Sequence, residues 1–155
     1  MQDKYRFIVA LLVSYFSGTL GSIYTNPSIP WYQELLKPWF QVPGWVFGPV
    51  WLILYGLIGY AIYLVWKSKN VRERTRALTL FGFHLILSVV WTYLFWKLQN
   101  TYFAYIEITF VWLTLVISME MFWNLNKRAF YLLLPYLAWL SYACMLNYAI
   151  WQLNL

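Results

Sequence analysis

Five long apolar runs leave few folds open to this sequence. They cover roughly residues 7–24, 45–66, 77–96, 102–123 and 129–151, and each is close to the ~20 residues that a helix needs to cross ~30 Å of hydrocarbon. With 63% hydrophobic and 10% charged residues among 155, the chain has too little polar side chain to cover a water-soluble globule. The sequence therefore predicts an all-α integral membrane protein, a bundle of five transmembrane helices.

Two other interpretations of the apolar runs fail. A membrane β-barrel needs strands of ~10 residues in which apolar and polar side chains alternate, whereas these runs are continuous. The first run resembles a signal peptide, but Ser14, Ser17 and Gly18 interrupt it and no small-x-small cleavage site follows. We expect it to be retained as a helix. The single cysteine, Cys144, excludes an intrachain disulfide and a thiolate metal site.

Basic residues are distributed unevenly between the two ends of the predicted bundle. If the helices alternate in direction, Lys37 and Lys97 lie at one end, and the other end holds Lys4, Arg6, Lys67, Lys69, Arg72, Arg74, Arg76, Lys127 and Arg128. The positive-inside rule then places the N-terminus in the cytoplasm and the C-terminus outside. Topology accounts for this charge, so we infer no nucleic-acid partner. The lack of a transit-like presequence favours a bacterial plasma membrane over a mitochondrial outer membrane.

The segments between the runs predict a single domain, residues 1–155. The turns at 98–101 and 124–128 are short, so the helices that they join must be antiparallel neighbours. The segment 25–44 is longer and carries four aromatic residues, Trp31, Tyr32, Trp39 and Phe40. We expect this long, partly ordered loop between helices one and two to act as a lid over one end of the bundle.

An aromatic and proline-rich motif leads into the second run. It reads Trp31-Tyr32-x-x-x-Leu36-Lys37-Pro38-x-x-x-x-Pro43-x-Trp45-Val46-x-Gly48-Pro49-Val50-Trp51-x-x-Leu54-Tyr55, with further matches at 59–67, 135–140, 146–151 and, more weakly, 87–95. Over nearly its whole length the chain resembles the translocator protein family, also called tryptophan-rich sensory proteins. The resemblance implies a five-helix bundle, a homodimer, and a cavity beneath the first loop for porphyrins, sterols and synthetic benzodiazepine-type or isoquinoline ligands.

Two positions depart from the family's pattern. Ser88 stands where the family usually has Asn in a Leu-Asn-x-x-Trp motif, so the pocket loses one amide there. The family's sterol-recognition pattern requires Arg or Lys within five residues after Tyr148, and that window holds neither. The resemblance therefore gives little support to sterol binding through this motif.

Aromatic side chains at helical spacing form the candidate binding site. Trp51 and Tyr55 are four residues apart on the second helix, and a second stripe lies on the fifth. Facing rings suit a flat conjugated ligand such as a tetrapyrrole, with offset stacks worth ~1 kcal/mol each. Together with the resemblance, this predicts the ligand-binding residues Tyr32, Pro43, Trp51, Tyr55, His84, Ser88, Trp91, Trp139, Tyr142, Ala143 and Leu146. Most other tryptophans we interpret as helix packing or interfacial belts.

Two ionisable residues, His84 and Glu107, lie within the apolar runs and are functional candidates because such groups are costly in a membrane. His84 is either an axial haem ligand or proton relay or, as we favour, a histidine hydrogen-bonded to a neighbouring helix. Glu107 is either functional or paired with its helix dipole, and Glu120 is expected to snorkel. Pro49 and Pro135 either kink their helices around a cavity or begin them.

No motif supports hydrolysis or phosphoryl transfer: the sequence shows no Ser-His-Asp set, paired carboxylates or phosphate-binding glycine loop. We expect no metal and no resident cofactor. The sequence predicts a membrane receptor or sensor for porphyrin, such as protoporphyrin IX. One alternative is a transporter of porphyrin or sterol. The other is light- and oxygen-dependent porphyrin degradation, associated with the family, for which Trp51 and Trp139 are the candidate catalytic residues as electron donors to the excited ligand.

Overall fold

A computed structural model describes residues 2–155, and all regular structure in that range is helical. A 3₁₀ turn at Gly44–Val46 precedes the third helix and a π-helical turn at Tyr93–Lys97 extends the fourth. The helices are α1 (Gln2–Ser22), α2 (Pro30–Glu34), α3 (Phe47–Trp66), α4 (Val71–Thr92), α5 (Thr101–Leu125) and α6 (Lys127–Leu153).

Four helical stretches are long and apolar enough to cross a membrane: Gly44–Trp66, Val71–Lys97, Thr101–Leu125 and Lys127–Leu153. The chain is therefore a multi-pass helical membrane protein. The first helix, α1, has 21 residues but is not one of these four stretches, and its crossing of the membrane stays a prediction. In the bundle, α4 packs between α1 and α5, and α6 packs between α5 and α3.

Asparagine side chains begin the three helices α4, α5 and α6. Each Oδ1 accepts a backbone N–H from the first turn, at 3.2 Å for Asn70, 2.9 Å for Asn100 and 3.0 Å for Asn126. These caps satisfy amides that the helix itself leaves free. Consequently α4 begins at Val71, not at residue 77 as predicted, because its charged first turns are helical although they lie outside the apolar run. Likewise α1 covers Gln2–Ser22 rather than 7–24.

The two prolines in the apolar runs take different positions. Pro49 is the third residue of α3, where a missing N–H costs no helical hydrogen bond. Pro135 lies inside α6, which continues through it from Lys127 to Leu153. Beginning a helix therefore explains Pro49 but not Pro135, whose ring removes one hydrogen bond within α6.

Close contact between α1 and α3 depends on glycine. A Cβ on Gly59 would lie 2.9 Å from the Cα of Leu11, and a Cβ on Gly18 would overlap the ring of Tyr55. The Ser14 hydroxyl donates to the backbone carbonyl of Tyr55 at 2.7 Å. Because Gly18 has no side chain, the Tyr55 ring packs directly against α1 at this position. The packing of α1 on α3 therefore positions a residue of the predicted binding site.

We expect Gly59→Ala to lower the stability of the protein by about 1 to 3 kcal/mol, because the added methyl group pushes against the backbone of α1. Thermal unfolding in detergent, followed by circular dichroism, measures this. The matched control is Gly82→Ala in α4, where no atom lies within 4 Å of the added Cβ and helix propensity favours alanine by up to ~1 kcal/mol. Equal stability of the two variants would contradict the proposed packing.

Candidate functional site

The lid segment, residues 25–43, contains the short helix α2, and one lysine hydrogen-bonds the free carbonyl groups at the C-terminal end of that helix. Lys37 Nζ donates to the carbonyls of Tyr32 at 2.7 Å, Leu35 at 3.1 Å and Gln33 at 3.3 Å. It also lies 4.7 Å from the centre of the Tyr32 ring. A cation here compensates the free carbonyls and the negative end of the helix dipole. Lys37 therefore stabilises the backbone conformation of the lid segment at the C-terminal end of α2.

Two side chains of α6 and the turn after it tie the lid segment to the bundle. Asn154 makes a reciprocal pair with the backbone of Leu36, accepting its N–H at 2.9 Å and donating to its carbonyl at 3.0 Å. The Tyr142 hydroxyl accepts the N–H of Val42 at 3.0 Å and donates to the carbonyl of Phe40 at 3.4 Å. The position of the lid segment is thus set by the C-terminal part of the chain.

Aromatic rings of the lid segment pack on the π-helical turn after α4. The Tyr32 ring centre lies 4.6 Å from that of Trp96, and Trp31 meets Phe95 edge-on at 5.5 Å. Burial raises the pKa of the Tyr32 phenol, although a hydrogen bond from Gln41 acts in the opposite direction. The phenol therefore stays neutral at physiological pH and accepts the Gln41 amide N–H at 3.4 Å.

Beneath the lid segment, aromatic residues of α3 and α6 meet. Trp51 stacks on Tyr55 with ring centres 5.3 Å apart and planes 23° from parallel, and it approaches Tyr136 of α6 edge-on at 6.1 Å. Trp139 meets Phe47 of α3 edge-on at 5.5 Å. Trp51 and Trp139, two of the three tryptophans predicted to bind the ligand, therefore each contact a ring on the opposite helix. We call the rings of Phe47, Trp51, Tyr55, Tyr136 and Trp139 the aromatic layer between α3 and α6.

His84 is fully buried in α4 and bonded to two other helices. Its Nε2 lies 2.9 Å from the Tyr136 hydroxyl, and its Nδ1 lies 3.1 Å from both the Val111 carbonyl and Thr114 Oγ1. A proton on Nδ1 satisfies this set, since the ring then donates to Val111 and accepts from Tyr136. These contacts support the hydrogen-bonded interpretation, and axial coordination of iron would require Nε2 to give up Tyr136.

A second polar contact between α4 and α6 involves a residue that the sequence analysis did not place in the site. Trp91 Nε1 donates to Oδ1 of the buried Asn147 at 3.1 Å, and the Asn147 amide donates to the Ala143 carbonyl at 2.8 Å. Ser88 instead bonds within its own helix, to the carbonyl of His84 at 3.1 Å. Asn147 was detectable as an amide within an apolar helix, because buried polar groups need partners.

The predicted site residues fall into two packed groups that Tyr142 joins. Tyr142 packs with the lid-side group and lies 5.3 Å, ring centre to ring centre, from Trp139. The lid-side group holds Tyr32, Trp91, Tyr142 and Leu146. The deeper group holds Trp51, Tyr55, Trp139 and Ala143, with Trp91 touching both. Pro43 is exposed at the start of the 3₁₀ turn and stands apart.

Two open clefts lie on the outside of the bundle, away from these groups. One, of about 560 Å³, lies between α5 and α6 and is lined by Glu120, Trp123 and neighbouring apolar residues. The other, of about 940 Å³, runs along α4 past Arg72, Arg76 and Phe83. Neither includes a residue of the predicted site, so Glu120 and Trp123 are suitable control positions for binding experiments.

The fold and site together define a multi-pass helical membrane protein in which the lid segment is hydrogen-bonded over an aromatic layer. The sequence matches the TspO/MBR family over residues 8–152. It is 34% identical over 150 residues to the tryptophan-rich protein TspO of Archaeoglobus fulgidus, covering 96% of this chain and 97% of that protein. Identity to TspO of Chlorobaculum tepidum is 36% over 142 residues, 88% of each chain. Identity to the sheep (Ovis aries) translocator protein is 35% over 141 residues, 88% and 83% of the two chains.

The chain therefore belongs to the TspO/MBR family, which confirms the resemblance drawn from its motifs.

We expect Tyr142→Phe to loosen the lid segment, because the Val42 amide loses its acceptor. One hydrogen bond is worth about 1 kcal/mol, so amide exchange at Val42 should accelerate roughly fivefold. Hydrogen–deuterium exchange with mass spectrometry measures this on peptides covering 36–44. Tyr148→Phe, at an exposed position of the same helix, is the control. Unchanged exchange in the Tyr142 variant would show that this hydroxyl does not hold the lid segment.

Proposed function

We propose that the chain is a membrane receptor for porphyrins and related planar lipophilic ligands, bound against Trp51 and Trp139 beneath the lid segment. The observation that carries this is the aromatic layer between α3 and α6, with the lid segment bonded over it through Tyr142. A flat conjugated ring gains offset stacking on indoles as well as apolar burial. Synthetic benzodiazepine-type ligands, also planar and apolar, are proposed for the same place.

The arrangement in the membrane is part of the proposal. α1 makes the fifth crossing, because it packs along α3 and α4 and its hydroxyls bond inside the bundle, as Ser14 does to Tyr55. The end that carries Lys67 and Lys127 then faces the cytoplasm of a bacterial cell and the lid segment faces outward. A homodimer is proposed on the family resemblance alone.

Dark titration with protoporphyrin IX tests the receptor. We expect saturable quenching of tryptophan fluorescence, and Trp51→Phe and Trp139→Phe should each weaken binding roughly fivefold, since each loses a stack worth ~1 kcal/mol. Trp123→Phe, in the cleft on the far side of α5 and α6, should bind as the unaltered chain does. Absence of saturable binding in helical, monodisperse protein would reject the receptor.

A second function, light-dependent porphyrin degradation, is favoured by one observation. Trp51 touches Tyr136, whose hydroxyl lies 2.9 Å from His84 Nε2. An electron passing from Trp51 to the excited porphyrin would leave an indole radical cation, which Tyr136 can reduce while its proton moves to His84. Molecular oxygen would then add to a ring carbon of the porphyrin radical anion. The adduct would return one electron to the Tyr136 radical and His84 would return the proton to Tyr136, so that the net change is one O2 added to the ring.

Illumination in air tests the second function. We expect the Soret band to bleach when the protein is present. Tyr136→Phe should slow bleaching severalfold at equal occupancy by ligand, because phenylalanine cannot reduce the Trp51 radical cation. Trp123→Phe is again the control. Bleaching at the same rate in Tyr136→Phe would rule out this relay.

The transport alternative is tested with the same protein reconstituted in vesicles. Porphyrin flux across the vesicle membrane in the dark would favour transport.

A further inference from the structure

Glu107 is the ionisable residue among those whose buried side-chain oxygens have no hydrogen-bond partner within residues 2–155; the others are Gln41 and Ser118. It lies in the second turn of α5, within a stretch long and apolar enough to cross the membrane. Both carboxyl oxygens are buried, and neither has a hydrogen-bond partner among residues 2–155. Buried carboxyl groups are costly without donors, and in membrane helices they point to function. The site described above does not use this residue.

The carboxyl group lies on the inner side of α5. Glu107 is one turn before Val111 and two turns before Thr114, and both of those residues contact His84 on α4. The adjacent carbonyl, of Ile108, accepts the Cys144 thiol of α6 at 3.6 Å. Glu107 therefore faces the space among α4, α5 and α6, on the lid side of His84.

Donors near this space are already engaged elsewhere. The hydroxyl of Tyr136 is bonded to the His84 ring, and the hydroxyl of Ser88 to the His84 carbonyl. Thr114 donates to Val111, and the Trp91 indole donates to Asn147. None of these four residues has a free donor for Glu107, and a ligand that enters from the lid side can supply one.

We propose that Glu107 is the polar anchor of the binding site and accepts a hydrogen bond from an N–H group of the ligand. This inference rests on the proposed function in that it deepens the ligand class: planar lipophiles that carry a pyrrole-type or protonated nitrogen. Among tetrapyrroles, metal-free rings have two inner N–H groups, which reach an acceptor over the ring face when the pyrroles tilt out of the mean plane, and metallated rings have none. Glu107 therefore selects metal-free porphyrin over its metal complexes.

The test compares paired ligands that differ in the N–H group. Protoporphyrin IX is titrated against its palladium(II) complex, whose four-coordinate metal replaces both N–H hydrogens and takes no axial ligand. Carbazole is titrated against N-methylcarbazole. The proteins are the full chain, Glu107→Leu, and Glu120→Leu as the matched control on the same helix. Because the leucine removes an unpartnered polar group, Glu107→Leu is expected to fold, which circular dichroism checks.

We expect the full chain and the Glu120 variant to prefer each N–H ligand about tenfold, as for a hydrogen bond to a charged or strongly polar group. Glu107→Leu should lose that preference. Infrared difference spectra supply a second readout: N–H ligand should shift a carboxyl band in the full chain and in Glu120→Leu, but not in Glu107→Leu.

The outcomes separate this inference from the proposed function. If both porphyrins bind equally, and Glu107→Leu binds like the full chain, the receptor stands and the anchor is wrong. If porphyrins do not bind but the carbazole preference depends on Glu107, the anchor stands and the ligand is another N–H lipophile. If the full chain does not discriminate within either pair, the anchor is overturned.

Discussion

His84 joins three helices of this bundle by polar contacts from a single side chain. In hydrocarbon a polar side chain has no water to bond, so its partners must come from the protein. His84 finds them on α5, at Val111 and Thr114, and on α6, at Tyr136. Tyr136 in turn borders Trp51 of α3. A rotation of α4 would break both sets of contacts, so the imidazole fixes the geometry of the aromatic layer above it.

The proposed binding region lies between two parts of different construction, a floor of long helices and the lid segment. The floor is built from packed rings on long helices, whereas the backbone of the lid segment is held by Asn154 and Tyr142 and its rings pack on the π-helical turn. Segments with few buried contacts open at lower free energy than helices in the core. If the proposed receptor binds its ligand beneath the lid segment, we expect the ligand to enter by release of these bonds, with α3 and α6 unchanged.

Sequence reasoning recovered those features that depend on neighbouring residues. Continuous apolar runs predicted the spanning helices, and the caps that correct the start of α4 were also visible, since Asn70 precedes the helix and Glu73 lies at its third position. The hydrogen-bonded interpretation of His84 followed from the cost of burying a polar ring. The four-residue spacing of Trp51 and Tyr55 was also sufficient to place both side chains on one face of a helix.

Contacts between distant parts of the chain could not be predicted in the same way. Tyr142 and Val42 are 100 residues apart in sequence, and Asn154 and Leu36 are 118 apart. Neither pair belongs to a local pattern, since a tyrosine on α6 is equally suited to packing, to an interface or to a hydrogen bond. Only the fold decides which of its possible partners is within reach.

His84 and Glu107 show how burial alone fails to separate structural from functional groups. Both are ionisable residues inside spanning helices, and both stood out in the sequence for the same energetic reason. The difference lies in their partners: the imidazole is satisfied on both nitrogens, while the carboxyl oxygens have no donor within residues 2–155. The hydrogen bonds of a satisfied group compensate the free energy of its desolvation and hold the helices together. An unsatisfied acceptor recovers that cost only when a donor arrives, which makes its free energy available to ligand binding.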